Sequence, residues 1–165
     1  HERLVGSEMC IRDRVDEVLK NGATFLQIRE KNMPHDELVK EAVLIKEIAK
    51  KYNVPVVIDD DIYAVIESGV DGVHIGQKDM DYIEARKLLG DDKIIGMTAP
   101  SVELAKKAEK LGADYIGAGA VFNTSTKKDT KYAPAIRHQP KRYLVSEKSI
   151  FNLREDYYSR FFQEK

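Results

Sequence analysis

From residue 15 onward the chain alternates short apolar, β-rich runs with longer amphipathic stretches, and this alternation narrows its fold more than any other feature. It is the pattern of βα units built around a parallel sheet. Strands are expected at residues 24–29, 55–59, 72–75, 93–97 and 115–118, each bounded by turn residues. Between the first two, Pro34 suits a first helical position, and Leu38, Ala42, Ile45 and Ala49 recur at helical spacing until Tyr52 and Asn53. Shorter helices are expected from about Ile62 to Gly69, from Met80 to Gly90, and from an N-capping Ser101 to Gly112, the three glycines acting as C-terminal caps.

The two ends depart from this rhythm. Residues 1–14, HERLVGSEMCIRDR, carry no periodicity and read as a non-native or disordered leader; residues 15–132 form the βα domain; residues 133–165 form a tail rich in Lys, Arg, Tyr and Phe that matches no βα unit. The expected fold is therefore α/β, an incomplete barrel of the (β/α)8 TIM-barrel family with about five recognisable strands, since a full barrel takes roughly 200 residues or more. Unpaired strand edges in such a barrel invite self-association.

Composition excludes several classes of function. Lys plus Arg number 27 against 28 Asp plus Glu, and a net charge of −1 supplies no general field for nucleic acid or an anionic membrane. The apolar runs are too short to span a bilayer, and no signal-peptide-like segment opens the chain, so a cytoplasmic location is expected. A single cysteine, Cys10, forms no internal disulfide and no Cys/His metal cluster.

Barrel enzymes build their sites from the loops that follow the strands, and polar groups collect there in this sequence. Gln27, Arg29, Glu30 and Lys31 follow the first strand; Asp59, Asp60 and Asp61 the second; Gly76, Gln77, Lys78 and Asp79 the third; Thr98 the fourth; Thr124, Ser125, Thr126, Lys127 and Lys128 the fifth. Arg29 and Lys31 alternate with Glu30, which sends both cations to one side, where they can grip one phosphate. Exposed surface charge is the plain alternative for such a pair. The carboxylates of residues 59–61 follow the apolar Val56, Val57 and Ile58, so at least one needs a cationic partner. With Asp79 one unit further on, these are hard oxygen donors of the kind Mg2+ prefers beside a phosphate, although Asp is equally a favoured helix cap. The hydroxyls and lysines of residues 124–128 suit phosphate oxygens. His74, inside the third strand, is expected to be a packed histidine with local hydrogen bonds and no catalytic role.

Five segments in order, LQIREKN (26–32), VIDDD (57–61), DGVHIGQKDM (71–80), IIGMTA (94–99) and ADYIGAGAVFNTSTKKD (113–129), resemble the thiamine-phosphate synthase family. The resemblance implies a transferase that joins hydroxymethylpyrimidine pyrophosphate to a thiazole phosphate and releases pyrophosphate. It implies that Gln27 contacts the aminopyrimidine, that Arg29, Lys31, Thr124, Thr126 and Lys127 bind the pyrophosphate, and that Asp60 and Asp79 hold Mg2+. Thr98 stands where the family has a serine near the reacting methylene, Pro100 where it commonly has histidine, and Asn123 where it commonly has proline. Asp59 replaces the family's asparagine in the substrate site, and a carboxylate there is expected to repel a pyrophosphate unless something neutralises it. The roles implied for Thr98, Arg29, Lys31 and Lys127 are catalytic. The partners implied are small molecules only, with neither nucleic acid nor membrane. A barrel fragment that binds phosphate without turnover, and a thiazole tautomerase relative that needs no metal carboxylates, are the competing readings.

Overall fold

Five expected strands and four expected helices occur where the alternation places them, to within a residue or two at their ends. The computed structural model describes residues 2–30, 32–118 and 149–152, and it divides into two compact units, His1–Val73 and His74–Lys165.

The first unit contains α1 (Glu2–Lys20), β1 (Leu26–Ile28), α2 (His35–Lys50), β2 (Val56–Asp59) and α3 (Ile62–Ser68). β1 and β2 pair in parallel, Gln27 opposite Val57 and Ile28 opposite Ile58. Val56, Val57 and Ile58 are completely buried, and Ile62, Ala64 and Val65 of α3 join them in the core. A strand buried on both faces needs a continuous apolar run, which is what residues 56–58 supply. Helix α2 buries Leu38, Ala42, Ile45, Ile48 and Ala49, the stripe that its helical spacing predicts. Pro34 is the N-cap and not the first helical residue: its ψ of 144° is extended, while its carbonyl already accepts from Leu38 N at 3.0 Å. Asp71 ties the unit together. Its Oδ2 accepts from Val56 N at 2.7 Å, its backbone N–H donates to Val56 O at 2.8 Å, and Lys46 of α2 pairs with its Oδ1.

Helix α1 departs from the sequence expectation. The stretch read as a leader is helical from Glu2, and the helix runs on to Lys20 and lies against α2. Its C-terminal half supplies anchors: Leu19 is buried, and Tyr52 beyond α2 donates to Asp16 at 2.5 Å. Tertiary docking of this kind overrides weak local periodicity.

The units divide inside β3 (Gly72–Ile75). The second contains α4 (Tyr82–Leu89), β4 (Ile94–Thr98), α5 (Val102–Leu111), β5 (Tyr115–Ala118) and β6 (Ser149–Asn152). Asp81 caps α4 through Ile83 N, and Ser101 caps α5 through Leu104 N, as expected of Ser101. α5 ends at Gly112 with φ of 86°, a left-handed cap that favours glycine. β4 and β5 are parallel, Gly96 opposite Tyr115 and Thr98 opposite Gly117. β6 pairs antiparallel with β5, Ile116 opposite Phe151. No strand was expected in residues 133–165; this one satisfies backbone groups along β5 that would otherwise lack partners. The remainder of that tail, and the segment 119–132, lie outside the described residues.

Arg86 and Asp114 organise the base of the second unit. Arg86 donates to the carbonyls of Gly90 and Lys93 at 2.9 and 2.6 Å and pairs with Asp114 Oδ2 at 2.8 Å. The same carboxylate oxygen accepts from Ile95 N at 2.9 Å. Among the described residues, no helix is long and apolar enough to cross a membrane.

Candidate active-site clusters

In the first unit, polar side chains meet at the ends of β1 and β2. Parallel register sets Gln27 beside Val57, and the two-residue strand period brings Asp59 to the same face. Gln27 Nε2 donates to Asp59 Oδ1 at 2.8 Å, and Arg29 Nε lies 3.1 Å from Asp59 Oδ2. The Asp59 side chain is 11% exposed against 36% for Arg29, so a carboxylate drawn partly out of water is compensated by a cation and an amide. Arg29 is thus a cationic partner of the kind expected for the residue 59–61 carboxylates. The pair commits the Arg29 Nε to Asp59. Both Nη groups have no hydrogen-bond partner among the described residues, and they remain available to an anion.

The three consecutive aspartates diverge in role. Asp61 caps α3, accepting from Ala64 N at 2.8 Å, while its other oxygen meets His35 Nδ1 at 2.9 Å. His35 Nε2 reaches Glu67 Oε1 at 3.2 Å. Asp61 first, and then Glu67, raise the His35 pKa above the ordinary imidazole value. Asp60 has a φ of 67°, and Asp61 N bonds back to Asp59 O across it at 2.8 Å. A non-glycine residue in that region costs energy that the surrounding structure must hold, and such residues gather at functional sites.

In the second unit, the loop after β3 closes on itself. Gly76 N donates to Asp79 Oδ2 at 2.5 Å, and a Cβ at Gly76 would stand 2.6 Å from that oxygen, so a larger residue there would displace the Asp79 carboxylate. Gln77 Nε2 donates to Thr98 O at 2.5 Å. Thr98 Oγ1 is 2.9 Å from His74 Nε2, whose Nδ1 lies 3.0 Å from the Tyr115 hydroxyl. The local hydrogen bonding expected of His74 is present. Gln77 stands among the polar groups expected after the third strand, whereas Tyr115 was given no site role from the sequence; glycines at 96 and 117, inside strands, were the available sign that something bulky crosses β4 and β5.

Asp79 offers hard oxygen chemistry. One carboxylate oxygen is held by Gly76 N–H, and the other has no partner among the described residues. No group of three or more His, Cys, Asp or Glu that could hold a metal occurs among the described residues. Mg2+ commonly binds through one or two carboxylates together with substrate phosphates and water, so a sparse acidic set is compatible with it. Lys31, Thr124, Thr126 and Lys127 lie outside the described residues.

A family model described as thiamine monophosphate synthase matches residues 3–139. The chain belongs to that family. The match begins within the 1–14 stretch and continues past residue 132. Thiamine-phosphate synthase of Ruminiclostridium cellulolyticum is 42% identical over 144 residues, covering 87% of this chain and 67% of the relative. That of Clostridium acetobutylicum is 45% identical over 130 residues, covering 79% and 62%, and that of Clostridium novyi 50% over 115 residues, covering 70% and 56%. The chain thus spans between 56% and 67% of the length of these relatives. The solved thiamine phosphate pyrophosphorylase of Pyrococcus furiosus aligns with a TM-score of 0.66 at 36% identity, covering 68% of this chain and 55% of that one. That likeness extends to fold, and the βα units are of the α/β, TIM-barrel-like class that the alternation predicts.

Proposed function

We propose that this chain carries the chemistry of thiamine-phosphate synthase: a thiazole phosphate displaces pyrophosphate from hydroxymethylpyrimidine pyrophosphate, forming thiamine phosphate. The observation that carries the reading is the Gln27–Asp59–Arg29 cluster, which lies in the two family-like segments after β1 and β2. Gln27 presents an amide to the aminopyrimidine. Arg29 keeps its Nη groups toward the pyrophosphate while its Nε neutralises Asp59. Lys31, Thr124, Thr126 and Lys127 are assigned to the same pyrophosphate by their positions in the motifs.

The bond to be broken joins a methylene to a pyrophosphate oxygen. Loss of pyrophosphate leaves a cation stabilised by the electron-rich pyrimidine, and the thiazole nitrogen then donates its electron pair to that methylene. Little proton transfer is needed; most of the barrier falls when fixed cations and donors meet the charge growing on the leaving group. Asp60 and Asp79 are the carboxylates assigned to Mg2+, which when bound supplies further neutralisation of that charge. Thr98 is assigned a place near the methylene by its position in the fourth motif. A tautomerase would not need Arg29 and Asp79 in these roles. Small diffusible substrates agree with action in the cytoplasm, and self-association through strand edges remains part of the reading.

The test is calorimetric titration of the purified chain with hydroxymethylpyrimidine pyrophosphate, with and without Mg2+, followed by turnover with thiazole phosphate. Metal-dependent binding that is lost in Asp79→Asn, together with thiamine phosphate formation, supports the assignment. Binding without turnover leaves a pyrophosphate-binding fragment, and metal-indifferent binding points to the tautomerase side of the superfamily.

A further inference from the structure

His74 is 8% exposed and takes no part in the chemistry described above, yet both its ring nitrogens are engaged. Two strand glycines leave room for it and for Tyr115. Tyr115 lies across Gly96, its register partner, so closely that a Cβ there would fall 2.0 Å from ring carbon Cζ. Gly117, register partner of Thr98, backs the imidazole: a Cβ there would be 2.9 Å from His74 Cε1. Glycine inside a strand weakens it, so two of them at these positions indicate that the His74–Tyr115 pair is worth the loss. The rings stand 5.4 Å apart between centroids and Tyr115 is 4% exposed, so its hydroxyl depends on protein partners.

The direction of the hydrogen bonds follows from acidity. A neutral imidazole donates from one nitrogen and accepts at the other. A phenol, with a pKa of about 10, is a much stronger donor than an aliphatic hydroxyl. Tyr115 O–H therefore donates to Nδ1, and Nε2–H donates to Thr98 Oγ1. The proton of the Thr98 hydroxyl is then not consumed by His74 and is directed onward, in a chain whose members polarise one another. Gln77 holds the Thr98 carbonyl from the other side, which steadies the backbone that carries the hydroxyl.

We propose that His74 is a positioning residue that fixes Thr98 as a hydrogen-bond donor to the departing pyrophosphate, with Tyr115 setting the imidazole tautomer. The proposal rests on the synthase reading for the identity of the anion. The hydrogen-bond chain itself does not.

The experiment uses the full chain labelled with 15N-histidine. Two-bond 15N–1H correlations are expected to show His74 as the Nε2–H tautomer, and Tyr115→Phe to shift it toward Nδ1–H. Addition of magnesium pyrophosphate is expected to move the His74 Nε2–H resonance in the parent and not in Thr98→Val. In turnover, His74→Leu is expected to lower kcat by about 10- to 100-fold, the range for losing one oriented donor or somewhat less. KM for the pyrimidine pyrophosphate should change less than about threefold, the pattern of an interaction made in the transition state. His74→Gln, which returns an amide N–H near the Nε2 position, should recover most of the rate. His74→Leu combined with Thr98→Val should be no slower than Thr98→Val alone. An Nδ1–H tautomer, a resonance indifferent to pyrophosphate, or multiplicative rate losses would overturn the proposal. The expected tautomer and pyrophosphate response in a chain that makes no thiamine phosphate would instead count against the synthase reading, leaving the donor chain standing.

Discussion

Replacing Gly96 with alanine tests the packing on which the second cluster depends. The added Cβ would sit 2.0, 2.3 and 2.5 Å from Cζ, Cε1 and Cε2 of Tyr115. Carbon atoms pack at about 3.5–4.0 Å, so the ring must withdraw by about 1.5 Å. It is buried and anchored by its hydroxyl on His74 Nδ1 at 3.0 Å, so the withdrawal breaks that bond. Overpacking costs about 1–3 kcal/mol, and the lost hydrogen bond about 0.5–1.5 kcal/mol. Reduced entropy of the unfolded chain returns about 0.4–1 kcal/mol. The net is a destabilisation of about 2–3 kcal/mol, which for a chain of this size lowers Tm by about 5–10 °C. Thermal melting followed by circular dichroism measures it. Tyr115→Leu in the same chain should relieve the clash, so the double substitution should cost at least about 1 kcal/mol less than the sum of the singles. A Gly96→Ala protein that melts with the parent, or two strictly additive substitutions, would refute the argument.

Other outcomes follow from the ion pairs. His35 has its pKa raised above 6.5 by Asp61 and Glu67, so its contribution to stability is complete below 6.5 and is lost as pH rises through the folded value. Parent minus His35→Ala differences in Tm should therefore shrink from pH 6 to pH 8.5, and should also shrink in 1 M NaCl because the groups are near solvent. Asp59→Asn should tighten binding of the magnesium complex of hydroxymethylpyrimidine pyrophosphate several-fold in calorimetry, because Arg29 no longer serves a local carboxylate; unchanged or weaker binding would contradict the role given to that pair. Arg86→Met faces the 3%-exposed Asp114 with an apolar side chain and should cost about 3–5 kcal/mol in urea unfolding, far more than an exposed pair.

Much of the fold was legible because its determinants are local. Val56–Asp59 reads as a buried strand from its own apolar run, α2 from the spacing of Leu38, Ala42, Ile45 and Ala49, and the stops at Gly69 and Gly112 from the left-handed conformations those residues adopt. The polar residues of the candidate clusters were visible for the same reason: they interrupt apolar strands where a charge needs an explanation. Helix α1 and strand β6 were not legible. Each owes its place to a partner distant in sequence, α1 to α2 and β6 to β5, and neither has a pattern strong enough to announce itself.

What the sequence determined alone was therefore the order of βα units, most of their capping and the polar residues that gather where the strands end. Only tertiary structure decided who meets whom. Asp59 chose Arg29 and Gln27 across 30 and 32 residues, Asp61 became a cap and a histidine partner, and His74 joined Tyr115 to Thr98 through space left by two glycines. Periodicity encodes the face on which a side chain lies, because helix and strand geometry repeat along the chain. The choice among polar partners on that face depends on register and on the room that neighbouring strands leave, and those exist only once the chain has folded.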